Sequence, residues 1–259
     1  MTSPFSSKNN LVTRLLVAGI ALPLLSLAVA AGGLVFVTVA ALVGVAGAAE
    51  TMSLLHRSGW RPLRNEGVVW AGLLIGSSVV GGWLTLTTGI VGPILLLALS
   101  VIYRRRLEAI GDWVLSIAGA LYVAVPLLHI AMLRGYDSGI EWVLIALFAT
   151  FGTDTGAFIG GRIFGRTKLA PSISPSKTWE GAGFGLAAGI LSTLGLIAVM
   201  PNVPFLTIWA STLGVLISIL AQFGDLAESK LKRMARTKES GFLIPGHGGV
   251  LDRLDSLVL

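Results

Sequence analysis

"GAGFGLAAGILSTLGLIAVM", residues 181–200, runs twenty residues without one charged side chain. About 20 apolar residues in helical form are enough to cross the hydrocarbon of a bilayer. A helix also satisfies its own backbone N–H and C=O groups where no water is available. This stretch therefore reads as a transmembrane helix, and it has company. Comparable runs at 11–30, 33–49, 68–86, 89–103, 112–133, 141–153 and 204–223 give about eight spans, and residues 256–259 read as the start of a ninth helix. The runs are continuous and not alternating, which argues against a transmembrane β-barrel.

Composition agrees. The chain has 259 residues, 54% hydrophobic and 12% charged, where soluble domains carry about 25% charged residues. The expected fold class is all-α, a polytopic integral membrane helical bundle. It forms a single membrane-embedded domain over 1–259, with N-terminal helices in 1–103 and the chemistry in the helices and loops of 104–259. Cysteine is absent, which excludes disulfides, thiolate catalysis and thiolate-held metals. Lys8 and Arg14 precede an apolar run with Ala28-Val29-Ala30 at its end, a signal-peptide-like arrangement. A second apolar run follows at once, so a helical hairpin is the simpler reading.

Charge orders the loops. With the N-terminus in the cytoplasm and eight alternating spans, 18 of the 19 basic residues fall on the inner side and only Arg134 falls outside. The net charge of +6 thus reports cytoplasmic loops and predicts no nucleic-acid partner. The N-terminus and the polar loops are expected in the cytoplasm, in the manner of a bacterial inner-membrane protein. Two glycine ladders, Gly152, Gly156, Gly160 and Gly181, Gly185, Gly189, each line one helix face and allow close backbone approach.

The acids locate the chemistry. Of 13, Glu50, Glu66, Glu108, Asp112, Asp137 and Glu141 lie at span ends and loops, and read as solvated helix ends. The other seven are Asp154, Glu180, Asp225, Glu228, Glu239, Asp252 and Asp255, all in or beside the last two cytoplasmic segments. Asp154 and Asp225 each end an apolar run, where a carboxylate is costly without a partner or a wet cavity. Asp252 and Asp255, at i and i+3, share a helix face. Such carboxylates together with phosphate oxygens suit Mg²⁺. Nearby lie Lys230, Lys232, Arg233, Arg236 and Lys238, cations able to grip anionic headgroups or a phosphorylated substrate. The 162–180 loop adds Ser174, Ser176, Lys177 and Thr178, small donors and a cation with prolines fixing the backbone; no P-loop pattern occurs. His247, set in Pro-Gly-His-Gly-Gly, is placed to contact phosphate, since glycines let the backbone approach a ligand closely.

Residues 229–255, "SKLKRMARTKESGFLIPGHGGVLDRLD", resemble the signature of the phosphatidate cytidylyltransferases, also called CDP-diacylglycerol synthases. The matching positions are Ser229, Lys232, Arg233, Lys238, Gly241, Pro245, His247, Gly248, Gly249, Asp252, Arg253 and Asp255. The upstream Ser174-Pro175, Lys177-Thr178 and Glu180-Gly181 are similar to the same family's loop. Two features depart from the pattern. Glu239 stands where the signature has Asp, and only four residues follow Asp255 where the family continues into another helix.

The resemblance implies a nucleotidyl transfer: CTP and phosphatidate give CDP-diacylglycerol and pyrophosphate, in phospholipid synthesis. It implies one or two Mg²⁺ ions held by Asp225, Asp252 and Asp255, with Lys232 and Arg233 among the catalytic groups. It also implies substrate binding by Asp154, Ser174, Lys177, Thr178, Glu180, Ser229, Lys238, His247, Gly248, Gly249 and Arg253. CTP, phosphatidate, membrane lipids and a second copy of the chain are the expected partners. Two competing readings are another CTP-using membrane enzyme, such as a polyprenol kinase, and an ion-coupled transporter built on Asp154 and Asp225. The transporter reading predicts acids near mid-bilayer and paired halves; the sequence puts its acids at one face.

Overall fold

A computed structural model describes residues 5–104, 109–200, 202–203, 207–244 and 248–255. The chain is helical, as expected: α1 (Phe5–Ala31), α2 (Gly33–Arg57), α3 (Arg64–Gly76), α4 (Gly82–Arg104), α5 (Ala109–Arg134), α6 (Gly139–Phe164), α7 (Trp179–Val199), α8 (Thr207–Met234) and the short α9 (Leu251–Leu254). Strands β1 (Lys168–Ala170) and β2 (Ser174–Thr178) form an antiparallel hairpin between α6 and α7. Six helices among the described residues, α2 and α4–α8, are long and apolar enough to cross a membrane, and α1 contributes a shorter apolar stretch. The fold is all-α and polytopic.

Two compact units divide the chain. One comprises Met1–Met132 with Ala235–Arg253, the other Leu133–Met234 with Leu254–Leu259.

In the first unit, α2 packs on α3 with glycines facing larger side chains: Gly44 against Ile75, Gly67 against Met52 and Gly72 against Val45. Met52, Leu54, Ala71 and Ile75 are fully buried there. The α2–α3 connection is tied to α5 by two hydrogen bonds: the Arg61 N–H donates to Asp112 Oδ1 at 2.8 Å, and the Leu63 N–H to Ser116 Oγ at 2.7 Å. The break between α3 and α4 falls at 77–81, a single 3₁₀ turn (Ser77–Val79) and two residues, whereas the sequence placed it at 87–88. The reason is local. Ser77 and Ser78 turn their hydroxyls back to the carbonyls of Leu74 and Ile75 and close α3, and Gly81 and Gly82 take positive φ. Thr87 and Thr88 instead bond the carbonyls four residues back and remain inside α4.

In the second unit, α6 and α7 meet along the two glycine ladders. A Cβ on Gly156 would overlap the Phe184 carbonyl and the Ala188 side chain, and one on Gly185 the Thr153 carbonyl. That is the close backbone approach expected from the spacing. α8 joins them at a small polar knot: Thr153 Oγ1 donates to Ser218 Oγ at 3.0 Å, both residues fully buried, against Gly189. The Phe164 and Phe184 rings stack at 5.0 Å at the end of α6.

Two helices run further than their apolar runs. α6 continues ten residues past Asp154, to Phe164, and α8 nine past Asp225, to Met234. Asp154 therefore lies within α6, and the polar loop shrinks to the residues between Phe164 and Trp179.

Candidate active site

In the second unit, the 165–178 loop is a tight hairpin. Pro171 fixes φ at the turn, and the Ile173 N–H closes it onto the Ala170 carbonyl at 3.1 Å. Two sequence-expected residues bind the loop to itself. Thr178, buried, caps α7 by accepting from the Gly181 N–H at 3.1 Å. Glu180 accepts from the backbone N–H groups of Arg166 and Thr167 at 3.1 Å each. The hairpin then projects Lys177, whose Nζ pairs with Asp225 Oδ2 on α8 at 2.5 Å, both half-buried. Ser174 begins β2 and is half-buried.

Helical spacing arranges the end of α8. Ser229 Oγ lies 3.4 Å from Asp225 Oδ1, one turn earlier. Lys232 pairs with the fully buried Glu228 at 2.9 Å, again at i and i+4. Arg233 donates from Nε to the Ile173 carbonyl at the hairpin tip, at 3.2 Å. One face of this unit thus carries Lys177, Lys232 and Arg233, each held by a partner, beside the Asp225 carboxylate. Cations so fixed are suited to charge developing on phosphate oxygens.

In the first unit, residues 240–244 and 248–252 lie around two carboxylates. Ile244 bridges Gly248, and Gly248 takes φ +85°. Asp252, on α9, accepts at Oδ2 from the Ser240 N–H (2.9 Å), the Ser240 hydroxyl (3.0 Å) and the Gly249 N–H (2.9 Å). The second carboxylate is Glu50 of α2, which the sequence assigned to a solvated helix end. It is 5% exposed. Its Oε1 accepts from the Val250 N–H at 3.1 Å and its Oε2 from the Leu251 N–H at 2.9 Å, and the Ser240 hydroxyl, 2.8 Å from Oε2, shares its one proton between Glu50 and Asp252. Hydrogen bonds to a charged group contribute about 1.5–3 kcal/mol each.

Glu50 is buried for a simple reason. α2 runs on to Arg57, two turns past this residue, and buries Gly47, Ala48, Thr51 and Leu54 around it. The recurrence of small residues about Glu50 at helical spacing was the available signal.

The glycines of the segment follow from these acids. A Cβ on Gly241 or Gly249 would overlap the Glu50 carboxylate, and one on Gly248 would lie 2.7 Å from Asp252 Oδ2. Lys238 and Arg253 are exposed, and Asp255 follows α9 in a turn, half-buried. His247 lies outside the described residues. Of the three expected metal carboxylates, Asp252 belongs to the first unit and Asp225 and Asp255 to the second. Within either unit, among the described residues, no three His, Asp or Glu side chains are gathered to hold a metal ion.

Comparison with known proteins gives a consistent set. Residues 12–259 match the Cytidylyltransferase family. A phosphatidate cytidylyltransferase of Brucella suis biovar 1 (strain 1330) is 45% identical over 143 residues, covering 54% of this chain and 52% of that protein. One from Staphylococcus haemolyticus (strain JCSC1435) is 39% identical over 166 residues, 63% of this chain and 62% of the relative. One from Bacillus subtilis (strain 168) is 37% identical over 141 residues, 54% and 52%. The chain spans about half the length of the Brucella and Bacillus relatives it matches. With nearly its whole length matched, and with multiple membrane-spanning helices, the chain belongs to the Cytidylyltransferase family.

Proposed function

We propose that the protein is a phosphatidate cytidylyltransferase acting at the cytoplasmic membrane face. The observation that carries this reading is the family match over residues 12–259, with relatives named for that activity. In the reaction a phosphatidate phosphate oxygen attacks the α-phosphorus of CTP. A P–O bond forms there as the bond to the β-phosphate oxygen breaks, and pyrophosphate leaves with the bonding pair. The nucleophile is already an anion, so no strong general base is required, and His247 serves as a phosphate contact. The barrier is partly repulsion between two anions.

Lys177, Lys232 and Arg233 answer that repulsion by stabilising charge on the departing pyrophosphate. Their acidic and carbonyl partners fix them beforehand, so little reorganisation is needed when substrate arrives. Asp154, Ser174, Ser229, Lys238, Gly248, Gly249 and Arg253 are proposed substrate contacts. Thr178 and Glu180 serve the site by closing the hairpin that carries Lys177. Asp225, Asp252 and Asp255 offer the hard carboxylate oxygens that Mg²⁺ takes, and no thiolate competes. Mg²⁺, when bound, would neutralise phosphate charge and orient the attack. In the eight-span reading with the N-terminus inside, 18 of the 19 basic residues fall on one side, which supports the cytoplasmic placement of these loops. The test is formation of CDP-diacylglycerol from CTP and phosphatidate by purified protein in detergent with Mg²⁺. Absence of any CDP-lipid from folded protein rejects the reading.

A further inference from the structure

We propose that Glu50 is a positioning residue for Ser240 and the 248–252 segment. Held by one buried carboxylate, the segment sets Asp252 and the Gly248-Gly249 turn in working geometry. The proposal rests on the reading that residues 229–255 serve nucleotidyl transfer. Its basis is the direction of the bonds. The Val250 N–H donates to one oxygen of Glu50 and the Leu251 N–H to the other, so both oxygens must accept, and the single Ser240 hydroxyl proton is shared between Glu50 and Asp252. Only a carboxylate offers two acceptor oxygens; a glutamine would turn an N–H group toward one of the donors.

Glu50 is also linked to Asp252 through a single side chain. The Ser240 hydroxyl lies 2.8 Å from Glu50 Oε2 and 3.0 Å from Asp252 Oδ2. Any shift of the α2 carboxylate is passed to Asp252 by that hydroxyl and by the Val250–Leu251 backbone. Gly241 and Gly249 leave room for this acid and for no side chain of their own. A positioning group of this kind typically changes activity about 10–100-fold when removed.

The test uses the full chain in detergent, with Glu50→Gln, Glu50→Asp and Ser240→Ala, and reads two quantities. The first is amide hydrogen exchange over 248–252. The second is kcat and KM for CTP per folded molecule. For Glu50→Gln we expect exchange at 249–251 to rise roughly tenfold or more, with α6 and α7 unchanged. We expect kcat to fall about tenfold or more while KM for CTP stays within about threefold. Glu50→Asp, which keeps two acceptors, should recover part of both losses. Exchange within about twofold of wild type in folded Glu50→Gln overturns the anchor. Raised exchange with unchanged kcat overturns the positioning role. If Glu50→Gln does not fold, Ser240→Ala decides: an unchanged kcat and exchange rejects the proposal. A wild-type chain that makes no CDP-lipid defeats the functional reading, and the exchange measurement then judges the anchor alone.

Discussion

The hairpin of the second unit and the 248–252 segment of the first solve one problem in two ways. Each is a polar loop whose backbone N–H groups need acceptors, and each finds them in a glutamate. Glu180 sits 14 and 13 residues from the Arg166 and Thr167 groups it holds. Glu50 sits 200 and 201 residues from Val250 and Leu251. The first loop is closed by its own neighbourhood; the second depends on a helix from the far end of the chain. A locally closed loop tolerates change elsewhere, whereas a remotely held one transmits it. Substitutions at the two glutamates, and at the groups they serve, are ways to break or sharpen that contrast.

The largest effect is expected at Asp252. Asparagine can keep an acceptor oxygen for Ser240 and Gly249 but removes the charge, so Asp252→Asn should lower kcat about 100-fold or more with little change in melting temperature. A near-wild-type rate would show that Asp252 serves only the loop. Next is Lys177→Met, which removes the cation paired with Asp225; a loss of about 10–100-fold in kcat/KM is expected in the same assay. Gly249→Ala should act through packing, because the added methyl meets Ser240 and Glu50. It should destabilise the first unit by about 1–3 kcal/mol, read as a lower melting temperature and faster exchange at 249–251. The smallest effect belongs to the locally closed loop. Thr178→Ala removes one helix cap, a cost of about 1 kcal/mol, with kcat changed less than by Glu50→Gln.

The same contrast marks what could be read from sequence. The membrane helices were legible because an uncharged twenty-residue run has few other readings. The glycine ladders were legible as close packing because their spacing of four is a property of one helix face. Helix ends were less so. Asp154 and Asp225 were placed at span edges because the first charge ends an apolar run, yet α6 and α8 continue to Phe164 and Met234. Hydrogen bonding along a helix does not stop where hydropathy does. The α3–α4 break was missed because serine and threonine hydroxyls can either close a helix or ride on it, and the neighbouring Gly81-Gly82 decides which. Candidate residues on the hairpin were legible as a set, but Thr178 and Glu180 proved to bind backbone. The burial of Glu50 was legible in the small residues around it, but its partners were not: they are 190 to 201 residues away, and no local pattern names the other end of a tertiary hydrogen bond.

The central claim is tested most directly by one measurement. Purified full-length chain, CTP labelled at the α-phosphate, phosphatidate and Mg²⁺ are combined in detergent, and label is followed into the lipid fraction. The account predicts labelled CDP-diacylglycerol with one pyrophosphate released per lipid formed, and none when phosphatidate is omitted. Folded protein that leaves the label in CTP, or passes phosphate to a lipid alcohol instead, contradicts it.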